Sequence, residues 1–219
     1  MRLVAALTLV ASLASTAAAQ RFAQPPVASV SATAPRNIRP SDNLPPPVTR
    51  DAVRTKLIAA RTANLGFRAY QQKGVFPNNT YQPTRLNVWR DDAGNFCAAA
   101  TIIRMSGQTA LVDKVADQNN FIKLADVRQG PLMDWILTSG MTQEEIAAIQ
   151  EPMSPIYDEP EPDQPRIVDA RMRAAENQRL IAVYKSVDAM IVKNAKASID
   201  IAIDRLMGQP GLAFKFVNG

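Results

Sequence analysis

The stretch LIAVYKSVDAMIVKNAKASIDIAIDRL, residues 180–206, decides the fold class. Leu180, Tyr184, Val187, Ile191, Ala195, Ile199, Ala202 and Leu206 recur at spacings of three and four, an average near 3.7 residues. That period holds them on one face of an ordinary α-helix, whereas a left-handed coiled coil repeats at about 3.5. Val183 and Met190 widen the stripe. The pattern therefore predicts a helix lying along the protein's own core, with self-association through this helix as the second choice. It is expected from near Ile167 to Met207, where Gly208, Pro210 and Gly211 stop it. Beyond it Leu212-Ala-Phe-Lys-Phe-Val217 alternates, which predicts a short strand in the tail over 208–219.

Upstream, Thr142-Gln-Glu-Glu145 is a capping box, with Met141 and Ile146 placed as its hydrophobic staple. It predicts a helix over Gln143–Gln150. Pro131 suits a first helical position and Gly140 the C′ position of the helix before it, so Pro131–Gln150 reads as a helical hairpin. Such a joint also invites comparison with a helix-turn-helix DNA reader, against which the N-terminal signal segment argues. Another helical pattern covers Thr109–Gln118. Leu86–Arg90, the turn Asp91–Asn95 and Phe96–Ala100 predict a short β-hairpin, although the alanines of its second arm also suit a helix ending at Gly107.

The first helix is expected from Thr49 or Asp51 to Gln72. Arg50, Arg54, Arg61 and Arg68 form a narrow stripe on it, opposite Ala52, Ala59, Ala63, Phe67 and Tyr70. One side should pack, and the other is basic. The fold class is thus mainly α: a helical domain with a short hairpin over 49–150 and a long C-terminal helix over 166–207. Between them Glu151–Pro165 alternates prolines with acids and reads as an acidic linker. Before them residues 20–48 form a Pro-rich basic arm with little to bury, expected to be disordered.

The N-terminus carries Arg2, an apolar run from Leu3 to Leu13, and small residues with Ala17 and Ala19 spaced as a cleavage site. This predicts a signal peptide over 1–19 and a mature chain from near Gln20. The run is shorter than the about 20 apolar residues of a spanning helix. No later stretch is long enough either, so no integral membrane span is expected. The destination is exported, periplasmic or extracellular. A bacterial envelope fits best, because the single Cys97 offers no disulfide.

Composition removes several chemistries. With no histidine in the chain, Ser-His-Asp and Cys-His catalysis cannot be assembled, and one cysteine excludes CxxC redox sites. No phosphate-binding glycine loop or GxSxG elbow is present. Carboxylate catalysis survives, as in glycoside hydrolysis. Its candidates are Asp91 and Asp92 in the hairpin turn, Asp134 beside Trp135, and Glu144 with Glu145. Each has a structural alternative: turn residues for the first two, a solvated helix face for Asp134, and a helix first turn for the glutamates. No metal and no cofactor is assigned, and the lone thiol reads as a buried apolar group.

Charge is segregated. Residues 20–90 balance at +9, residues 91–165 at −9 and residues 166–219 at +4. The basic part could meet a protein partner or an anionic envelope surface, or fold against the acidic part of its own chain. Aromatics are too sparse near the arginines for a nucleic-acid platform. The leading expectation is an exported, non-enzymatic adaptor or structural subunit, with Arg54, Arg61 and Arg68 as partner-binding residues. The alternatives are a carboxylate-dependent hydrolase of cell-wall glycan using Asp134, Glu144 or Glu145, and a small-ligand or lipid carrier with an apolar cavity between the central and C-terminal helices. Trp89 and Trp135 read as core anchors.

Overall fold

The computed structural model describes residues 47–63, 66–158 and 166–219. The expected signal segment, all but the end of the Pro-rich arm, and the acidic residues 159–165 lie outside them. Helices α1 (Arg50–Ala63), α2 (Gly66–Lys73), α3 (Ala98–Met105), α4 (Thr109–Gln118), α5 (Pro131–Thr138), α6 (Gln143–Ile149), α7 (Ala170–Met207) and α8 (Pro210–Asn218) are joined by loops and one 3-10 turn at Leu124–Asp126. Among the described residues no helix is long and apolar enough to cross a membrane.

The periodic stripe on α7 does what its spacing predicts. Leu180, Tyr184, Ile199, Ala202 and Leu206 are buried, and Val187 and Ile191 pack partly buried between them. Asp169 caps the helix, its Oδ1 accepting from the N–H groups of Arg171 and Met172. Two apolar clusters share this one helix. Its first half joins the cluster that holds Phe67, Tyr70, Phe76, Trp89 and the apolar faces of α3–α6; its second half joins the one that holds Val53 and Leu57 of α1, Leu137 of α5 and Ala213 of α8. Tyr184 sits among Phe67, Tyr70 and Phe76 with ring centroids 5.5–5.7 Å away, separations at which aromatic rings attract beyond their burial.

The capping box is present at Thr142, with Met141 and Ile146 both in the core. Gly140 adopts φ 76°. A Cβ there would stand 2.2 Å from the Leu57 carbonyl oxygen and 2.8 Å from Arg61 Cβ. Both the left-handed backbone and the contact with α1 therefore require glycine.

Three expectations are corrected. The first helix is described over Arg50–Ala63 and Gly66–Lys73, with Thr49 as its cap, accepting from Ala52 N–H; residues 64–65 lie outside the described residues. The hairpin reduces to a single antiparallel bridge between Arg90 and Phe96, and no strand forms among the described residues. Cys97 instead caps α3 with its side chain, because the alanine run favours helix. The tail strand is helix α8: Pro210 takes a first-turn position, and Phe214 is exposed while Leu212 and Phe216 pack, which period two forbids. The acidic segment is fixed along its first half, where Met153, Ile156 and Tyr157 are buried and Leu86 bridges Met153. Prolines exclude helix there without excluding burial.

Candidate functional site

The arginine stripe runs beside α7, with Arg50, Arg54 and Arg68 at the surface and Arg61 largely buried. At 100° per residue Arg50, Arg54, Leu57 and Arg61 fall within about 60° of one another, so the burial of Leu57 turns the arginines toward α7, while Ala59 and Ala63 are exposed. Antiparallel pairing follows: Arg50 meets Asp204, Arg54 meets Asp200 at 2.8 Å and Arg68 meets Asp188 at 3.1 Å. Arg61 lies deepest. Its guanidinium takes both Glu145 oxygens, at 2.8 and 2.9 Å, and also donates to the carbonyls of Gly140 and Ile191. Arg54, Arg61 and Arg68, the residues expected to bind a partner, each form an ion pair within the chain.

The carboxylates separate in the same way. Glu145 also accepts from Thr142 N–H and Ser198 Oγ, which occupies both oxygens twice. Burial pushes its pKa upward, but the hydrogen bonds from Arg61, Thr142 and Ser198 outweigh that and hold the carboxyl below its usual range. Such a group keeps no proton to give a leaving group. Asp91 is buried and holds its turn, accepting from Asn78 N–H and Asn95 N–H. Asp134 and Glu144 are exposed on different helices, and the cleft that includes Asp134 includes neither glutamate. Burial pushes the Cys97 thiol up to about 12. Trp89 and Trp135 are buried, donating to Val112 O and Ser106 Oγ. An apolar cleft of about 240 Å³ does lie between α1, α2, α6 and α7, smaller than the about 300–1,000 Å³ of most ligand sites.

A larger cleft lies between α4, the segment 119–130 and the start of α5, with a volume of about 630 Å³. α4 supplies its floor because it carries two adjoining apolar stripes. Val112 and Ala116 enter the core, and Leu111 and Val115 line the cleft. Ile122, Val127 and Leu132 complete the apolar surface, and Lys114, Lys123, Arg128 and Asp126 form its polar edge.

The irregular wall of this cleft is held from behind by two buried glutamines of the α6 region. Gln143 Nε2 donates to Leu124 O and Val127 O, each at 2.8 Å. Gln150 Nε2 donates to Ile122 O at 2.7 Å, and its Oε1 accepts from Leu124 N–H at 2.7 Å. Asn120 pairs with both backbone groups of Arg90. These bonds satisfy buried backbone groups that no regular element serves, and they fix the wall in advance of any ligand. At one end Phe121 is 40% exposed and stacks edgewise on Tyr81 at 5.1 Å. Tyr81 in turn donates to Asp92 at 2.9 Å; partial burial and that bond push its phenol up to about 12.

The sequence contained one signal for this site, the double stripe Leu111, Val112, Val115, Ala116, which exceeds what one core face needs. Its cations were hidden because they belong to the segment with the most negative balance. Compared with protein-family models, with curated proteins and with solved structures, the chain matches none of them.

Proposed function

We propose that this chain is an exported, non-enzymatic adaptor of a bacterial envelope that docks a segment of another protein in the cleft between α4 and α5. The supporting observation is the cleft itself: an apolar floor, a wall fixed by Gln143 and Gln150, and an exposed aromatic at its end. A prefixed apolar groove loses little conformational freedom on binding, so more of the contact energy appears as affinity. The N-terminal signal segment, Arg2 to Ala19, supports the exported destination. The saturation of Glu145 and the separate exposure of Asp134 and Glu144 favour docking over glycan hydrolysis.

The test is affinity capture of the tagged chain from its native envelope at low and high salt, beside a Phe121→Asp variant with an unchanged melting curve. The expected result is one protein retained in stoichiometric amount by the parent chain and lost from the variant. Equal retention by both would place the docking surface elsewhere. Retained glycan with no protein would count against the adaptor reading.

A further inference from the structure

We propose that the partner segment is an amphipathic helix carrying carboxylates beside its apolar anchors. This rests on the docking reading above and names the chemistry of the partner.

The charges around the cleft carry the argument. The arginines of α1 and α2 that face α7, together with Arg90 and Arg179, all pair with Asp or Glu of this chain. Lys114, Lys123 and Arg128 take part in none of the ion pairs among the described residues. Arg128 is held by the carbonyls of Ala125 and Val127, which fixes the guanidinium without neutralising it. Against these three cations the edge of the cleft has one acid, Asp126. Positive charge without internal partners, set along an apolar floor, is complementary to a ligand with both characters.

Length selects a helix. The α4 side runs from Leu111 to Gln118, about 10 Å at the helical rise. That matches two turns of a bound helix with apolar anchors at i, i+3 or i+4, and i+7, the usual helix-in-groove pattern. Lys114 lies between the floor residues Leu111 and Val115 in sequence, so an acid flanking the anchors would reach it. A nucleic acid is a poorer fit, because Asp126 opposes phosphate and Phe121 is the lone aromatic of the lining.

The test pans a display library of random peptides against the full chain and measures synthetic copies of the enriched sequences by calorimetry. Enriched peptides should combine apolar residues spaced three or four apart with Asp or Glu. Their affinity should fall by about tenfold or more in Lys114→Glu/Lys123→Glu and weaken with salt. It should hold in Lys185→Glu/Lys193→Glu, which reverses two lysines of α7. Melting curves of both variants guard against unfolding. Peptides without acids, or acidic peptides indifferent to the Lys114→Glu/Lys123→Glu change, overturn the charge assignment; if a protein is still captured through Phe121, the docking reading stands alone. No enriched peptide, or binding of dodecanoate in place of any peptide, overturns the proposal of a helical partner.

Discussion

Arg61 on α1 grips both carboxylate oxygens of Glu145 on α6, 84 residues away, at 2.8 and 2.9 Å, with the Glu145 side chain buried and that of Arg61 12% exposed. The same guanidinium reaches Gly140 O and Ile191 O, so one side chain joins α1, the α5–α6 turn, α6 and α7. Removing one member of such a pair leaves the other charged and unsolvated, which costs about 3–5 kcal/mol. Glu145→Gln should therefore lower the unfolding free energy by that amount in urea titrations. A loss under about 1 kcal/mol would show the pair to be no stronger than a surface contact.

The pH dependence of stability has two limbs. Glu145 and Glu176 are both held below their ordinary value of 4.5: burial opposes this, and the hydrogen bonds from Arg61 and from Arg179 respectively overcome it. Their contribution is fully present above pH 4.5 and is lost as the pH falls through the lowered values. Cys97, raised by burial from 9.0 to about 12, contributes stability present below pH 9 and lost as the pH rises toward 12. Urea midpoints across the pH range should thus fall at both ends. The acid slope should be shallower in Glu145→Gln and the alkaline slope shallower in Cys97→Ala.

Gly140→Ala tests the close approach of α1 to the α5–α6 turn. The new Cβ meets the Leu57 carbonyl at 2.2 Å, in a backbone of φ 76°. The left-handed conformation alone costs about 1–3 kcal/mol for a residue with a side chain. Thermal unfolding should show a larger loss than this, because α1 must also move.

Arg54 and Arg68 should be dispensable for partner capture. Their pairs with Asp200 and Asp188 lie at the surface, where ion pairs contribute about 0–1 kcal/mol. Arg54→Ala/Arg68→Ala should keep a near-parental melting temperature and retain the captured protein. Loss of capture with the fold intact would support the arginine stripe as a docking surface.

The helices were legible where local chemistry acts alone. The period of three and four from Leu180 to Leu206 placed the face of α7, and Thr142 with Glu145 placed the start of α6, because both signals lie within a few residues of chain. The role of Glu145 was not legible, since its partners Arg61 and Ser198 come from distant helices. The same holds for the arginine stripe: its period was plain, but only the burial of Val53 and Leu57 decides whether that face meets water or α7. Residues 119–130 carry no period at all. Their shape comes from Gln143 and Gln150 bonding to their backbone, and the cleft follows from that.

The docking reading is tested most directly by replacing Phe121 with a photo-crosslinking amino acid in the full chain, irradiating intact envelopes, and comparing position 181 on the exposed side of α7. One protein adduct should form from position 121, absent from position 181 and abolished by Lys114→Glu/Lys123→Glu. No protein adduct at 121, or the same adducts from both positions, would contradict the docking reading.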